Sequence, residues 1–65
     1  MTISEKIKVT QKQWFKLTDQ REKFKNLIEY AEFESNWTKK EFYIKVYYDP
    51  EYKNNYVLFR LMYKI

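Results

Sequence analysis

Tyrosines and cations interleave in the last third of the chain: Tyr43, Lys45 and Tyr47, then Tyr56, Leu58, Arg60, Met62 and Lys64. Such side chains stack on a base or another ring, attract a cation to an aromatic face, or hold a phosphate or carboxylate. None is a nucleophile at neutral pH. Elsewhere the chain has no histidine, no cysteine and no glycine among its 65 residues, and its only serines are Ser4 and Ser35. Acyl and phosphoryl transfer therefore lack their customary nucleophile, base and phosphate loop. A zinc site of the Cys/His kind is excluded as well. Glu29, Glu32 and Glu34, or Asp49 with Glu51, are paired carboxylates of the type used in acid/base work or Mg²⁺ binding. Carboxylates in polar segments are ordinarily just solvated. The expectation is a binding protein with no catalytic residue, cofactor or metal.

Length limits what can position those residues. A chain this short forms one domain, residues 1–65, and hides only about 60% of the surface it exposes when unfolded. With neither disulfide nor metal, oligomerisation or partner binding is the remaining external support, and a homodimer is one such possibility. No apolar run approaches the roughly 20 residues of a membrane-spanning helix. The first ten residues also lack the apolar centre of a signal peptide. A cytoplasmic protein with no membrane contact is expected. The net charge of +4 permits an anionic partner without demanding one. By segment, residues 1–17 carry +3, residues 18–38 carry −2 and residues 39–65 carry +3.

Period-two alternation of Ile3, Glu5, Ile7 and Val9 against Ser4, Lys6 and Lys8 predicts a first strand. Thr10-Gln11-Lys12-Gln13 then has the Thr-x-x-Gln form of a capping box before Trp14, Phe15 and Leu17, so a helix starts there. Phe24, Leu27, Ile28 and Ala31 follow i, i+3, i+4, i+7 spacing and extend that helix to Glu34, with a bend near Thr18 as the alternative. So placed, Arg21, Lys23 and Lys25 lie toward the helix start and the three glutamates toward its end, both against the macrodipole. The glutamates then either pair with Lys39, Lys40 or the basic first strand, or form an acidic docking patch. Without glycine, turns fall to Ser35-Asn36, Asp49-Pro50 and Asn54-Asn55.

Phe42, Ile44, Val46 and Tyr48 alternate with Tyr43, Lys45 and Tyr47, predicting a second strand. The last segment, Tyr56 to Ile65, reads as a third, with Val57, Phe59, Leu61, Tyr63 and Ile65 on one face. The expected fold is α+β: β-α-β-β, one main helix packed on a three-stranded antiparallel or mixed sheet of order 1-3-2. The helix covers Phe42, Ile44, Val46, Phe59 and Leu61. The uncovered face then carries Tyr43, Lys45, Tyr47, Tyr56, Leu58, Arg60, Met62 and Lys64. If Val46 pairs with Phe59, Lys45 faces Arg60; if it pairs with Val57, Tyr43 faces Arg60 and Tyr47 faces Tyr56.

Three uses of that face follow from its chemistry. It docks a host protein or nucleoprotein complex, it stacks single-stranded nucleic acid on its tyrosines, or it pairs two copies of the chain. Leu58 and Met62 supply apolar area that phosphate tracking does not require, which favours a protein partner. The absence of glycine removes the RNP1 motif of RNA-recognition domains. Phe15 and Phe33 fall on the helix side opposite Phe24 and Ile28, exposed unless a bend turns Phe15 inward and Phe33 folds beside Trp37. Lysine outnumbers arginine eleven to two, and Lys, Asn, Tyr, Ile and Phe fill about half of the chain, a bias expected from AT-rich genomes. In type, a short, glycine-free, non-catalytic chain of this composition resembles phage-encoded inhibitors of host machinery, including anti-CRISPR proteins. No motif carries that resemblance.

Overall fold

The computed structural model describes residues 1–65. In chain order the elements are β1 (Ile3–Val9), α1 (Gln11–Asp19), β2 (Tyr30–Asn36), β3 (Glu41–Tyr48), a 3₁₀ turn at Pro50–Tyr52, and α2 (Lys53–Tyr63). The three strands form one antiparallel sheet of order β1-β3-β2. The fold is α+β with strand order 1-3-2, as expected, but two of the segments filling those roles differ.

Where local chemistry is strong the expectation holds. β1 spans the predicted residues, with Ile7 and Val9 buried opposite Ile44 and Phe42. The capping box is complete: the Thr10 hydroxyl accepts from the Gln13 amide at 3.1 Å, and the Gln13 side chain accepts from the Thr10 amide at 2.9 Å. Two otherwise orphaned helix donors are thereby satisfied. β3 buries Phe42, Ile44, Val46 and Tyr48 and turns Glu41, Tyr43, Lys45 and Tyr47 outward.

The long helix does not form. α1 ends at Asp19, where the Thr18 hydroxyl bonds back to the Trp14 carbonyl, so at the place of the alternative bend the helix terminates outright. Residues 20–27 are successive turns, held by Lys23 N–H to the Gln20 carbonyl and Leu27 N–H to the Phe24 carbonyl. Phe24 and Ile28 still reach the core, but from turns. Tyr30–Asn36 is a strand: Ala31, Phe33 and Ser35 face inward opposite Val46, Ile44 and Phe42, while Tyr30, Glu32, Glu34 and Asn36 face out. Electrostatics favours this outcome. At a helix C-terminus the glutamates oppose the dipole, whereas in β2 Glu32 lies opposite Lys45 and Glu34 reaches Lys6.

The C-terminal segment is likewise a helix and not a strand. The Asp49 carboxylate accepts from the Glu51 amide and Pro50 presets the first turn, so the predicted Asp49-Pro50 turn leads into helix; Asn54-Asn55 lies inside α2. Tyr56, Phe59 and Tyr63, at i, i+3 and i+7, turn toward the sheet, and Phe59 is fully buried. Tyr56 stacks on Tyr48 at 4.2 Å, and Phe24 meets the edge of Phe59 at 5.1 Å. α1 packs on the same face through Leu17 and through Trp14, 5.7 Å from Phe42. Leu61, expected beneath the helix, is instead 70% exposed. The molecule has two layers: helices and turns on one face of the sheet, and nothing on the other.

With no glycine, Lys40 and Lys64 take left-handed backbone at φ 53° and 55°. Lys64 closes α2, where Ile65 N–H reaches the Arg60 carbonyl. Lys40 ends the β2–β3 loop. Replacing Lys40→Gly should remove backbone strain in excess of the added unfolded-state entropy and raise stability by about 0.5–1 kcal/mol in urea unfolding. A lower midpoint would show that the lysine side chain contributes more than its backbone costs.

Candidate functional site

The eight residues singled out as one patch divide between two opposite sides of the molecule. Tyr43, Lys45 and Tyr47 do lie on the open sheet face. Tyr56, Leu58, Arg60, Met62 and Lys64 belong to α2 or its cap, behind the sheet. Neither expected pairing of Val46 exists, because its partners are Glu5 and Ala31. The physical reason is the helical turn at the C-terminus, which takes every other residue out of register with a strand face.

On the open sheet face, cations and tyrosines are tied to neighbouring carboxylates. Lys6 pairs with Glu34 at 2.8 Å and lies 4.7 Å from the centre of the Tyr43 ring. That hydrogen-bonded pair raises the Lys6 pKa and lowers that of Glu34. The Tyr47 hydroxyl donates to Glu32 at 2.6 Å, and the Tyr43 hydroxyl donates to Glu41 at 3.0 Å, which raises the Tyr43 pKa. Lys45 lies 5.5 Å from the Tyr47 ring, and Tyr30 packs beside Tyr47 at 5.7 Å. Lys6, Lys8 and Lys45 are balanced by Glu32, Glu34 and Glu41. Of Glu29, Glu32 and Glu34, only Glu34 pairs with the basic first strand; Glu32 accepts from the Tyr47 hydroxyl and Glu29 from the Thr2 hydroxyl, and none pairs with Lys39 or Lys40. A polyanion meets no net positive charge here.

α2 is apolar on both sides. Tyr56, Phe59 and Tyr63 face the sheet, while Val57, Leu58, Leu61 and Met62 face solvent with exposures of 43, 47, 70 and 55%. Their i, i+1, i+4, i+5 spacing makes one stripe on the side opposite the core. Leu58 and Met62 are exposed, as the strand reading also expects; Val57 and Leu61, expected on the covered face of a strand, are exposed as well. Lys53, Arg60 and Lys64 flank the stripe, none of them in an ion pair. A groove of about 480 Å³ runs between them and β1, lined by Glu5, Tyr56 and Val57 among others.

Arg60 is held in place rather than free. Its Nε donates to the Ile65 carbonyl at 2.9 Å and its guanidinium lies 5.9 Å from the Tyr56 ring, with one nitrogen 3.5 Å from the Tyr56 hydroxyl. Burial, reinforced by hydrogen bonding to Glu5, pushes the Tyr56 hydroxyl up to about 12.

A third feature was only partly foreseen. Trp37 does join Phe33 in one aromatic group, through Trp14, which lies 6.4 Å from Trp37 and 6.1 Å from Phe33. Phe15 lies 5.8 Å from Trp37 and remains 44% exposed, so the end of α1 does not turn it inward.

No family model matches the chain, and no curated protein or solved structure matches it either.

The Tyr56 environment has a consequence for stability in base. An unfolded tyrosine loses its proton near pH 10, whereas folded Tyr56 keeps it to about 12. Between these values the folded chain binds more protons, so this contribution is complete below about pH 10 and disappears as pH rises toward 12. Urea unfolding at a series of alkaline pH values should show a shallower decline for Tyr56→Phe than for the native chain. Equal slopes would mean that Tyr56 ionises in the folded protein as it does in the unfolded one.

Proposed function

We propose that this chain is a non-catalytic binding protein that docks a partner protein through the outer side of α2. The observation that carries this reading is the stripe of Val57, Leu58, Leu61 and Met62, exposed on a helix whose other side already fills the core. An apolar patch of a few hundred Å² rimmed by charge is the usual signature of an interface. An amphipathic helix laid into a partner's groove is a common recognition mode. The unpaired flank of Lys53, Arg60 and Lys64 calls for a groove bordered by carboxylates.

A second copy of the chain is the poorer occupant. In an antiparallel α2 pair the flank of one copy meets the flank of the other, setting Lys53 against Lys64, and like charges so placed repel. The outer sheet face supports a partner contact less well, since Tyr43, Lys45 and Tyr47 already engage Glu41 and Glu32 or each other. The AT-rich compositional bias supports placing this activity in a phage or mobile element, with the partner in its host, as for an inhibitor of host machinery.

The test replaces Leu58→Asp and Leu61→Asp together. Both positions are exposed, so the unfolding midpoint should move little, within about 0.5 kcal/mol per site. Capture of a partner from nuclease-treated host lysate should then be lost relative to the native chain. Undiminished capture removes α2 from the interface. In sedimentation the native chain should run as a monomer of 8.3 kDa; a dimer dissolved by the same two substitutions would make the second copy the occupant.

A further inference from the structure

We infer that the end of the molecule built from α1 and the β2–β3 loop binds single-stranded nucleic acid, with bases stacking on Trp37 and Phe15 and phosphates met by Lys12, Lys16, Lys39 and Lys40. This inference stands independently of the α2 interface.

The aromatic component is exposed yet held. Trp37 keeps 54% and Phe15 44% of its surface in solvent, although their rings lie 5.8 Å apart. Trp37 is braced by Phe42 at 5.1 Å and Phe15 by Trp14 at 5.3 Å. The loop itself is tied by the Asn36 side chain, which accepts from the Lys39 amide at 3.2 Å, and by the left-handed turn at Lys40. A platform fixed in advance loses little freedom on binding. Each base stacked on such a ring contributes enough to be read by substitution.

The charge component is net positive. Lys12 and Lys16 lie on α1 within one turn of Phe15, and Lys39 and Lys40 follow Trp37 two and three residues on, after Thr38. All four are exposed, and none is in an ion pair; the ion pairs of the molecule join Lys6 to Glu34 and Lys25 to Glu22. One acid of α1, Asp19, stands a turn beyond Phe15 and is in no ion pair, so lysines outnumber it four to one across α1 and the 37–40 loop. Glu41, next in sequence, already accepts the Tyr43 hydroxyl. This is the reverse of the outer sheet face, where every aromatic–cation contact is accompanied by a glutamate. Four unpaired lysines around two exposed rings match alternating phosphates and bases, and lysine, a point charge on a long stem, follows a flexible backbone. An acidic peptide would use the lysines and leave the rings without partners.

The experiment titrates the native chain with a labelled oligodeoxythymidylate of roughly ten nucleotides, reading anisotropy and tryptophan fluorescence. Binding should quench the fluorescence, and log K should fall against log salt with a slope of about −3 for four phosphate contacts. Lys12→Glu with Lys39→Glu should lower affinity at least tenfold while circular dichroism and the unfolding midpoint stay unchanged. Trp37→Ala should lower affinity about tenfold or more with little change in the salt slope. Lys45→Glu on the outer sheet face should have no comparable effect, and Leu58→Asp with Leu61→Asp should leave oligonucleotide binding intact. Absence of binding at low salt, or equal binding by the charge-reversed variant, would overturn the inference. Tighter binding of polyglutamate or of phosphatidylserine vesicles would also overturn it, assigning the site to an acidic protein or a membrane surface.

Discussion

β3 is the one strand with a neighbour on each edge, and its inner row of Phe42, Ile44, Val46 and Tyr48 is the surface on which every other element converges. β1 delivers Ile7 and Val9 to it, α1 delivers Leu17, the turns after α1 deliver Phe24 and Ile28, and α2 delivers Tyr56 and Phe59. Burying such a side chain stabilises by about 1.5–3 kcal/mol. A short chain has few of them to commit. It therefore places all its cover on one face of the sheet, where the inner row of β3 is buried and that of β2 only partly so, and none on the other. Both helices are needed on that single face, which explains why the segment after the 3₁₀ turn packs as a helix across the sheet instead of joining its edge.

The surfaces available for function are what this arrangement leaves over, and they differ in kind. The bare sheet face is kept polar, with Lys6 bonded to Glu34 and Tyr47 to Glu32 across strands and Tyr43 to Glu41 along β3, which suits an exposed face with no cover. α2 must be apolar toward the core and is apolar outward as well. At the far end of the sheet, Trp37 and Phe15 lean on the core aromatics without being enclosed by them. Trp14 shows how crowded that junction is: its indole nitrogen is buried with no hydrogen-bond partner. An orphaned donor of this kind costs on the order of 1–3 kcal/mol.

Local signals were legible wherever the decisive interaction lies within a few residues. Thr10 and Gln13 satisfy each other across one helical turn, and β1 and β3 alternate in and out because each has one wet face. Legibility failed at Phe24–Ala31 and at Tyr56–Ile65. Phe24, Leu27, Ile28 and Ala31 have helical spacing, yet the first three enter the core from turns and the last from a strand. Tyr30–Asn36 alternates at period two, a signal overlapped by the helical one, and the clash of Glu29, Glu32 and Glu34 with a helix dipole was the clue that favoured the strand. In Tyr56–Ile65 apolar side chains occupy every side, so periodicity cannot separate a strand apolar on both faces from a helix apolar all round.

The sequence by itself determined the α+β composition, the capped start of α1 and the inner row of β3. These follow from residue types and from contacts that close within one turn or along one strand. Only the tertiary structure decided which residues share a surface. Whether Leu58 and Met62 stand beside Tyr43 and Tyr47 or behind them depends on the conformation of the last ten residues. That conformation is selected by Tyr56 stacking on Tyr48 across the 3₁₀ turn and by Phe59 meeting Phe24, a partner far away along the chain. One such packing choice moved five of the eight residues of the expected patch to the opposite side of the molecule.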